Sequence, residues 1–287
     1  MKDGLTVKLC GMTNIEDIRL AAQYGADYVG VVTEVDFSPR SLTVEQAETV
    51  FQMSPLPTVA LVYNIAWDRL VYLVQKLKPH AIQFLGPENP ELLSKCREKF
   101  PQIKLWQSIH LPATVTCSTS KVTDNNASVH SNEDLPTAIG HRLGVSPEVS
   151  NKSFNPNDRN EGNPNHNGEL LSTEETCILE QVTKNMLDCY QAGANVFLLD
   201  AAAKVNGKTR FGGTGKTVNW KLAKELIAVS PLPVFLAGGI NPGNIAEAIK
   251  RVHPAGIDLC SGVEAFPGKK DPDKIIALME GVKKAVI

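Results

Sequence analysis

The chain has 287 residues, 43% of them hydrophobic, enough for one large core, since α/β barrels fill about 200–250 residues as a single unit. A formal net charge of −2 leaves no basic surplus for a nucleic-acid backbone. No apolar run approaches the ~20 residues that a membrane helix needs, and the opening MKDGLTVKLC has no signal-peptide pattern, so a cytoplasmic protein with neither nucleic acid nor membrane as partner is expected.

Short β-branched runs alternate with helical-period segments, the pattern of βαβ units around a parallel sheet. TVKLC (6–10) is the first strand, and a helix over 14–24 follows, capped by Thr13 or Asn14. DYVGVV (27–32) leads to a helix over 43–53 that Thr43 can cap, with Glu45 and Glu48 suited to its early turns. PTVALVY (57–63) precedes a helix over 66–77, and HAIQF (80–84) one over 90–100. IKLWQSI (103–109) is a fifth strand whose helix is delayed to 173–192, where Ile178, Val182, Met186 and Tyr190 recur on one face. NVFLLD (195–200), PVFLAGG (233–239) and GIDLCSG (256–262) complete the strands, with helices over 218–229, 242–251 and 272–285. Eight strands and eight helices in alternation predict a closed (β/α)8 TIM barrel, with an open doubly wound sheet as the alternative.

Residues 112–171 interrupt this order between the fifth strand and its helix. Positions 151–167, NKSFNPNDRNEGNPNHN, hold seven asparagines in 17 residues, too polar to offset ordering entropy by burial. A long, disordered, asparagine-rich insertion is expected there, tolerated because loop closure costs grow slowly with length; a lid over the active face is the alternative. His130, His141 and His166 lack metal-ligand spacing and read as solvated. The six cysteines (Cys10, Cys96, Cys117, Cys177, Cys189 and Cys260) contain no CxxC pair, which argues against a zinc site or a disulfide framework.

The stretch FGGTGKTVNW (211–220) resembles the end of a Walker A loop, but Arg210 stands where that loop needs its first glycine. Glycines that free backbone N–H groups at a helix start still suit an anion. In a barrel the chemistry gathers at the C-terminal ends of the strands. There the sequence places Cys10, Arg40, Gln83, Asp200, Asp258 and Ser261, with glycine clusters after the last three strands. Three such loops converging late in the barrel suggest a nest for one phosphate monoester; for any single loop, turn formation alone is the competing explanation.

VKLCGMT (7–13), LLDAAAKVNGKTRFGGTGKTVNW (198–220), FLAGGINPGNI (235–245) and IDLCSGVEAFPGKKD (257–271) together resemble the phosphoribosylanthranilate isomerase family of tryptophan biosynthesis. The likeness covers most of the chain outside the insertion. It implies an Amadori rearrangement of an aminoaldose phosphate with no cofactor and no metal, and a small phosphorylated substrate as partner. A homodimer is compatible with it. The resemblance puts the general base at Cys10 and the general acid at Asp200. It assigns Arg40 to the substrate's carboxylate, Gln83 and Asp258 to the substrate side, and the phosphate to backbone around Gly213, Thr214, Gly215, Gly238, Gly239, Ser261 and Gly262.

A thiol works as a base only when ionised, and a helix N-terminus beyond Cys10 is expected to favour that form. Asp200 needs burial to keep a proton near neutral pH. The alternatives are a buried apolar thiol at Cys10, a cap or loop carboxylate at Asp200, and a surface salt bridge at Arg40. Cys96, Cys177 and Cys189 are assigned to helix packing. Leu85 stands where the family usually has a histidine, and the segment VVTEVDFSPRSL has less aromatic character than the family pattern. Two rival functions remain: a related histidine-pathway isomerase whose acid and base are two aspartates, and a non-catalytic sugar-phosphate-binding barrel.

Overall fold

The computed structural model describes residues 4–112, 171–205, 208–211 and 218–286. The expectations for the insertion and for Gly213, Thr214 and Gly215 therefore lie outside the described residues. In chain order the elements are β1 (Thr6–Leu9), α1 (Ile15–Tyr24), β2 (Tyr28–Val32), α2 (Val44–Met53), β3 (Thr58–Val62), α3 (Trp67–Leu77), β4 (Ala81–Phe84), α4 (Pro90–Lys99) and β5 (Lys104–Pro112). They continue with α5 (Thr173–Gln191), β6 (Val196–Val205), β7 (Lys208–Phe211), α6 (Trp220–Val229), β8 (Val234–Leu236), α7 (Ile245–Val252), β9 (Gly256–Leu259), β10 (Glu264–Phe266), β11 (Lys269–Lys270) and α8 (Pro272–Val286).

The strand order β5-β4-β3-β2-β1-β9-β8-β6 closes on itself through a β5–β6 pairing, and every pairing in this ring is parallel. This is the expected (β/α)8 barrel. Its helix starts are secured locally. Asn14 accepts from the Asp17 N–H, and Thr43 and Gln46 form a reciprocal capping box, each satisfying N–H groups that the first turn leaves orphaned. Thr13 donates instead to the Gly268 carbonyl at 2.6 Å, which ties the start of α1 to the β10–β11 hairpin.

Besides β9, which stops at Leu259 where the sequence puts the strand end at 262, and the unassigned β10–β11 hairpin, two regions differ from the sequence expectation. AAAKVNGKTRF continues β6 beyond the ring and pairs it antiparallel with β7, in the register Val205↔Lys208 through Ala202↔Phe211. Only Asn206 and Gly207 separate the two strands, and Asn-Gly between strand-forming runs is the strongest short hairpin signal. At the other difference, β8 stops at Leu236, because Gly238 and Gly239 take φ values of 76° and 64°. That left-handed backbone cannot continue a strand, and only glycine adopts it freely.

Strand periodicity sorts the barrel. On β1, Val7 and Leu9 face the large core beneath the helices, whereas Lys8 and Cys10 belong to the interior of the ring. Trp106, Leu198 and Phe235 fill that interior beside Cys10, with the Trp106 and Phe235 rings 5.2 Å apart. The packed interior is the floor on which the polar groups stand.

Candidate active site

Where the strands end, a cavity of about 300 Å³ opens, lined among others by Cys10, Arg40, Gln83, Asp200 and Asp258. Gly238, Gly239, Ser261 and Gly262 form another part of its wall. All the candidate site residues within the described chain thus meet in one cavity.

Gln83 and Asp258 belong to a polar layer whose other members, Lys8 and Ser108, the sequence reading did not assign. Lys8 is completely buried, and its ammonium donates to Asp258 Oδ2 at 2.7 Å and to Gln83 Oε1 at 2.9 Å. Gln83 passes the chain on to Ser108 Oγ. Burial works against the Lys8 charge, but the carboxylate of Asp258 and the thiol of Cys10 override it and leave the group above its ordinary value. Asp258 Oδ1, also buried, has no hydrogen-bond partner among the described residues. An orphaned buried acceptor costs free energy, and at a cavity wall it is ready for a ligand's donor.

Cys10 follows β1, and its N–H donates to the Leu259 carbonyl at 2.7 Å, extending the β1–β9 ladder by one step. Its side chain meets that of Cys260. The hydrogen bond to Cys260, together with burial, pushes the Cys10 thiol well up, while the nearby Lys8 ammonium pulls the other way. This differs from the sequence expectation that a helix N-terminus would lower it. The cap of α1 is Asn14, four residues on, and the local contacts of Cys10 dominate. Asp200, on β6, is pushed up to about 7, chiefly by burial and secondarily by the charge of Asp258, against a hydrogen bond from the Ala201 N–H.

Arg40 is not a free fork. Its Nε and Nη2 donate to Glu264 Oε1 and Oε2 at 2.8 and 2.6 Å, a bidentate pair. Burial acts to raise Glu264, but Arg40 and Lys270 overcome it and hold the carboxyl below its ordinary value. Nη1 of Arg40 has no protein partner among the described residues. Above it the wall is apolar: Val32, Val35, Phe37, Leu61 and Leu85 line the cavity, and the Phe37 and Tyr63 rings meet edge to face at 5.1 Å.

The two glycine loops touch. A Cβ on Gly262 would lie 2.0 Å from the Ile240 carbonyl oxygen, so only glycine lets the turn after β9 approach the loop after β8. The N–H groups of Gly238 and Gly239 have no hydrogen-bond partner among the described residues. Of the other thiols, Cys96 and Cys189 are buried as expected, but Cys177 is exposed, because it falls on the outward face of α5 and not on its packing stripe.

The family described as N-(5'phosphoribosyl)anthranilate (PRA) isomerase matches residues 7–130 and 171–281. The chain belongs to that family. The N-(5'-phosphoribosyl)anthranilate isomerase of Methanocella arvoryzae is 28% identical over 279 residues, spanning 96% of this chain and 97% of the relative. Its counterpart from Methanosarcina mazei is 29% identical, covering 97% and 95%. Among solved structures, one described as monomers generated from the dimeric Thermotoga maritima isomerase superposes with a TM-score of 0.62 at 25% identity, covering 98% of this chain and 99% of that one. Within the isomerase family the polar layer under the cavity was open to sequence reading: Lys8 is two residues from Cys10 on one strand and must share its face. Glu264 lies in the SGVE motif already singled out, and its role as partner of Arg40 had no local signal.

Proposed function

We propose that this isomerase-family chain converts N-(5'-phosphoribosyl)anthranilate to 1-(2-carboxyphenylamino)-1-deoxyribulose 5-phosphate, with Asp200 as general acid and Cys10 as general base. The observation that carries this reading is that β1 and β6, separated by β9 and β8 around the ring, deliver a thiol and a carboxyl of raised pKa to one small cavity.

The chemistry has two proton transfers. Protonated Asp200 gives its proton to the furanose ring oxygen as the bond to the first sugar carbon breaks, and the substrate nitrogen's lone pair forms an iminium. The Cys10 thiolate then takes the proton from the second carbon, now acidic beside the iminium, and the resulting enolamine relaxes to the ketose. Each positioned transfer contributes about 10²–10⁴-fold. The Lys8 ammonium stabilises the thiolate that the second step requires.

The remaining groups position the substrate. Asp258 Oδ1 accepts from a sugar hydroxyl, which removes the cost of its isolation. Gln83, held between Lys8 and Ser108, keeps Asp258 and Lys8 in place. The anthranilate ring lies on the apolar wall of Val32, Phe37 and Leu85, so Leu85 supplies contact area where the family pattern has a polar ring, and its carboxylate takes the open Nη1 of Arg40. The phosphate accepts from the N–H groups of Gly238 and Gly239 and from the turn at Ser261 and Gly262. Because Cys10 must stay reduced to act as the base, the reading suits the reducing cytoplasm. It requires no second copy of the chain. The test is loss of phosphoribosylanthranilate fluorescence, followed for wild type, Cys10→Ser and Asp200→Asn. Both variants are expected to lose at least ~100-fold in turnover, and full turnover in either one removes that residue from the mechanism.

A further inference from the structure

Cys10 and Cys260 follow directly after Leu9 and Leu259, which are register partners in the parallel β1–β9 pairing. The Cys10 N–H bond to the Leu259 carbonyl carries the ladder one step past both strands. Neighbouring positions on adjacent strands are about 4.8 Å apart, inside the roughly 4.4–6.8 Å window for Cα atoms joined by a disulfide. The faces agree as well. Lys8 and Asp258, two residues earlier on each strand, meet inside the ring, so Cys10 and Cys260 also point inward, and both line the cavity. Gly11 keeps the space around them closed: a Cβ there would lie 2.6 Å from Cys260 Sγ.

We propose that Cys10 and Cys260 are a modification site, closed by peroxide into an intramolecular disulfide that takes the active-site thiol out of service and reopened by a thiol reductant. The loss of turnover rests on Cys10 being the base, whereas formation of the bond does not.

Cys260 is the sulfur that reacts first. It is more exposed than Cys10, and the hydrogen bond from Cys10 with the charges of Lys270 and Arg40 favours its thiolate over the opposing effect of burial. Thiolate character and access select the sulfur that peroxide oxidises. Cys260 attacks one peroxide oxygen, the O–O bond breaks, and the departing hydroxide leaves as water after taking up a proton, with a sulfenic acid on Cys260. Cys10 then attacks that sulfur, the S–O bond breaks, and the second hydroxide takes the Cys10 proton and leaves as water. Two electrons pass from the two sulfurs to one peroxide, and two waters form.

The experiment uses the full chain, reduced, desalted and treated with hydrogen peroxide. Non-reducing peptide mass spectrometry reads the bond, and the fluorescence assay reads turnover. The expected result is a linked pair of peptides carrying Cys10 and Cys260, a turnover loss of at least ~100-fold in the linked fraction, and recovery of both in dithiothreitol. Cys177→Ala should behave like wild type, which separates the effect from oxidation of the exposed thiol, and Cys260→Ser should give no linked peptide. Absence of the Cys10–Cys260 peptide at peroxide levels that oxidise Cys177 would overturn the proposal. A bond that forms with turnover intact would overturn the inactivation and, separately, the assignment of Cys10 as base.

Discussion

The raised pKa of Asp200 makes this carboxyl a liability for stability, and Asp200→Asn should expose it. An aspartate that titrates at 3.8 in the unfolded chain and at about 7 when folded holds its proton more tightly in the native state. Between those values the native state binds more protons than the unfolded one, so stability falls as pH rises from about 4 to about 7 and is level above that. At 1.36 kcal/mol for each pH unit, the ceiling is about 4 kcal/mol of native-state penalty above neutrality. Asp200 is only half-buried at the cavity wall, and water reaching it reduces this to about 2 kcal/mol. Asparagine keeps the Oδ1 that accepts from the Ala201 N–H but has no charge to desolvate. Urea unfolding of wild type and variant at pH 5, 6, 7 and 8 should show the variant gaining stability relative to wild type as pH rises, by about 2 kcal/mol at pH 8, while its turnover is lost. A difference that is the same at all four pH values would refute the assignment of a desolvated carboxyl at this position.

The same titration shapes the rate. Because Cys10 is raised as well, both groups are protonated below neutrality and the pair must lose one proton to become active. kcat/KM should therefore rise through pH of about 7 and then level; a fall beginning at 7 would show that Cys10 ionises before Asp200. Lys8→Met leaves Asp258 charged, buried and unpaired, at a cost of about 3–5 kcal/mol. Adding Asp258→Leu should recover most of that stability in urea unfolding but no turnover. Gly262→Ala forces the Ile240 carbonyl away, which spreads the two loops, so KM for the phosphorylated substrate should rise about tenfold or more with a smaller change in kcat. Arg40→Lys keeps the charge but loses the fork against Glu264, and should raise KM in the fluorescence assay with a smaller change in kcat.

The barrel was legible because its code is local. Eight β-branched runs alternating with helical patterns leave few other topologies, and the ring closes where β5 meets β6. Element ends were the less secure part. The β6–β7 hairpin was open to reading from Asn206-Gly207, but the adjacent glycines of the GGTG stretch drew the whole segment toward a phosphate loop. At the site, residue types that end strands on the inner face could be found by period and position: Cys10, Gln83, Asp200 and Asp258 all line the cavity. What pairs with them could not. Glu264 reaches Arg40 across 224 positions of sequence, and no local pattern encodes that distance.

The electrostatics follow the same division. Burial of Asp200 can be guessed from its place at the end of an apolar strand, and the direction of its shift follows from burial alone. Cys10 cannot be treated this way, since besides burial its ionisation depends on two neighbours that raise it, chiefly Cys260 and also Asp258, and one that lowers it, Lys8, brought together by the pairing of the first barrel strand with the last. Sequence proximity favoured the α1 terminus as the controlling influence. The folded ring sets that influence aside and makes the base answer to the residues on and just after β9, so substitutions at 258 and 260 should change the plateau of the rate profile, which follows the share of Cys10 thiolate, more than any change at the cap residue Asn14. A profile that shifts with Asn14→Ala and stays fixed with Cys260→Ser would return control of the thiol to the helix.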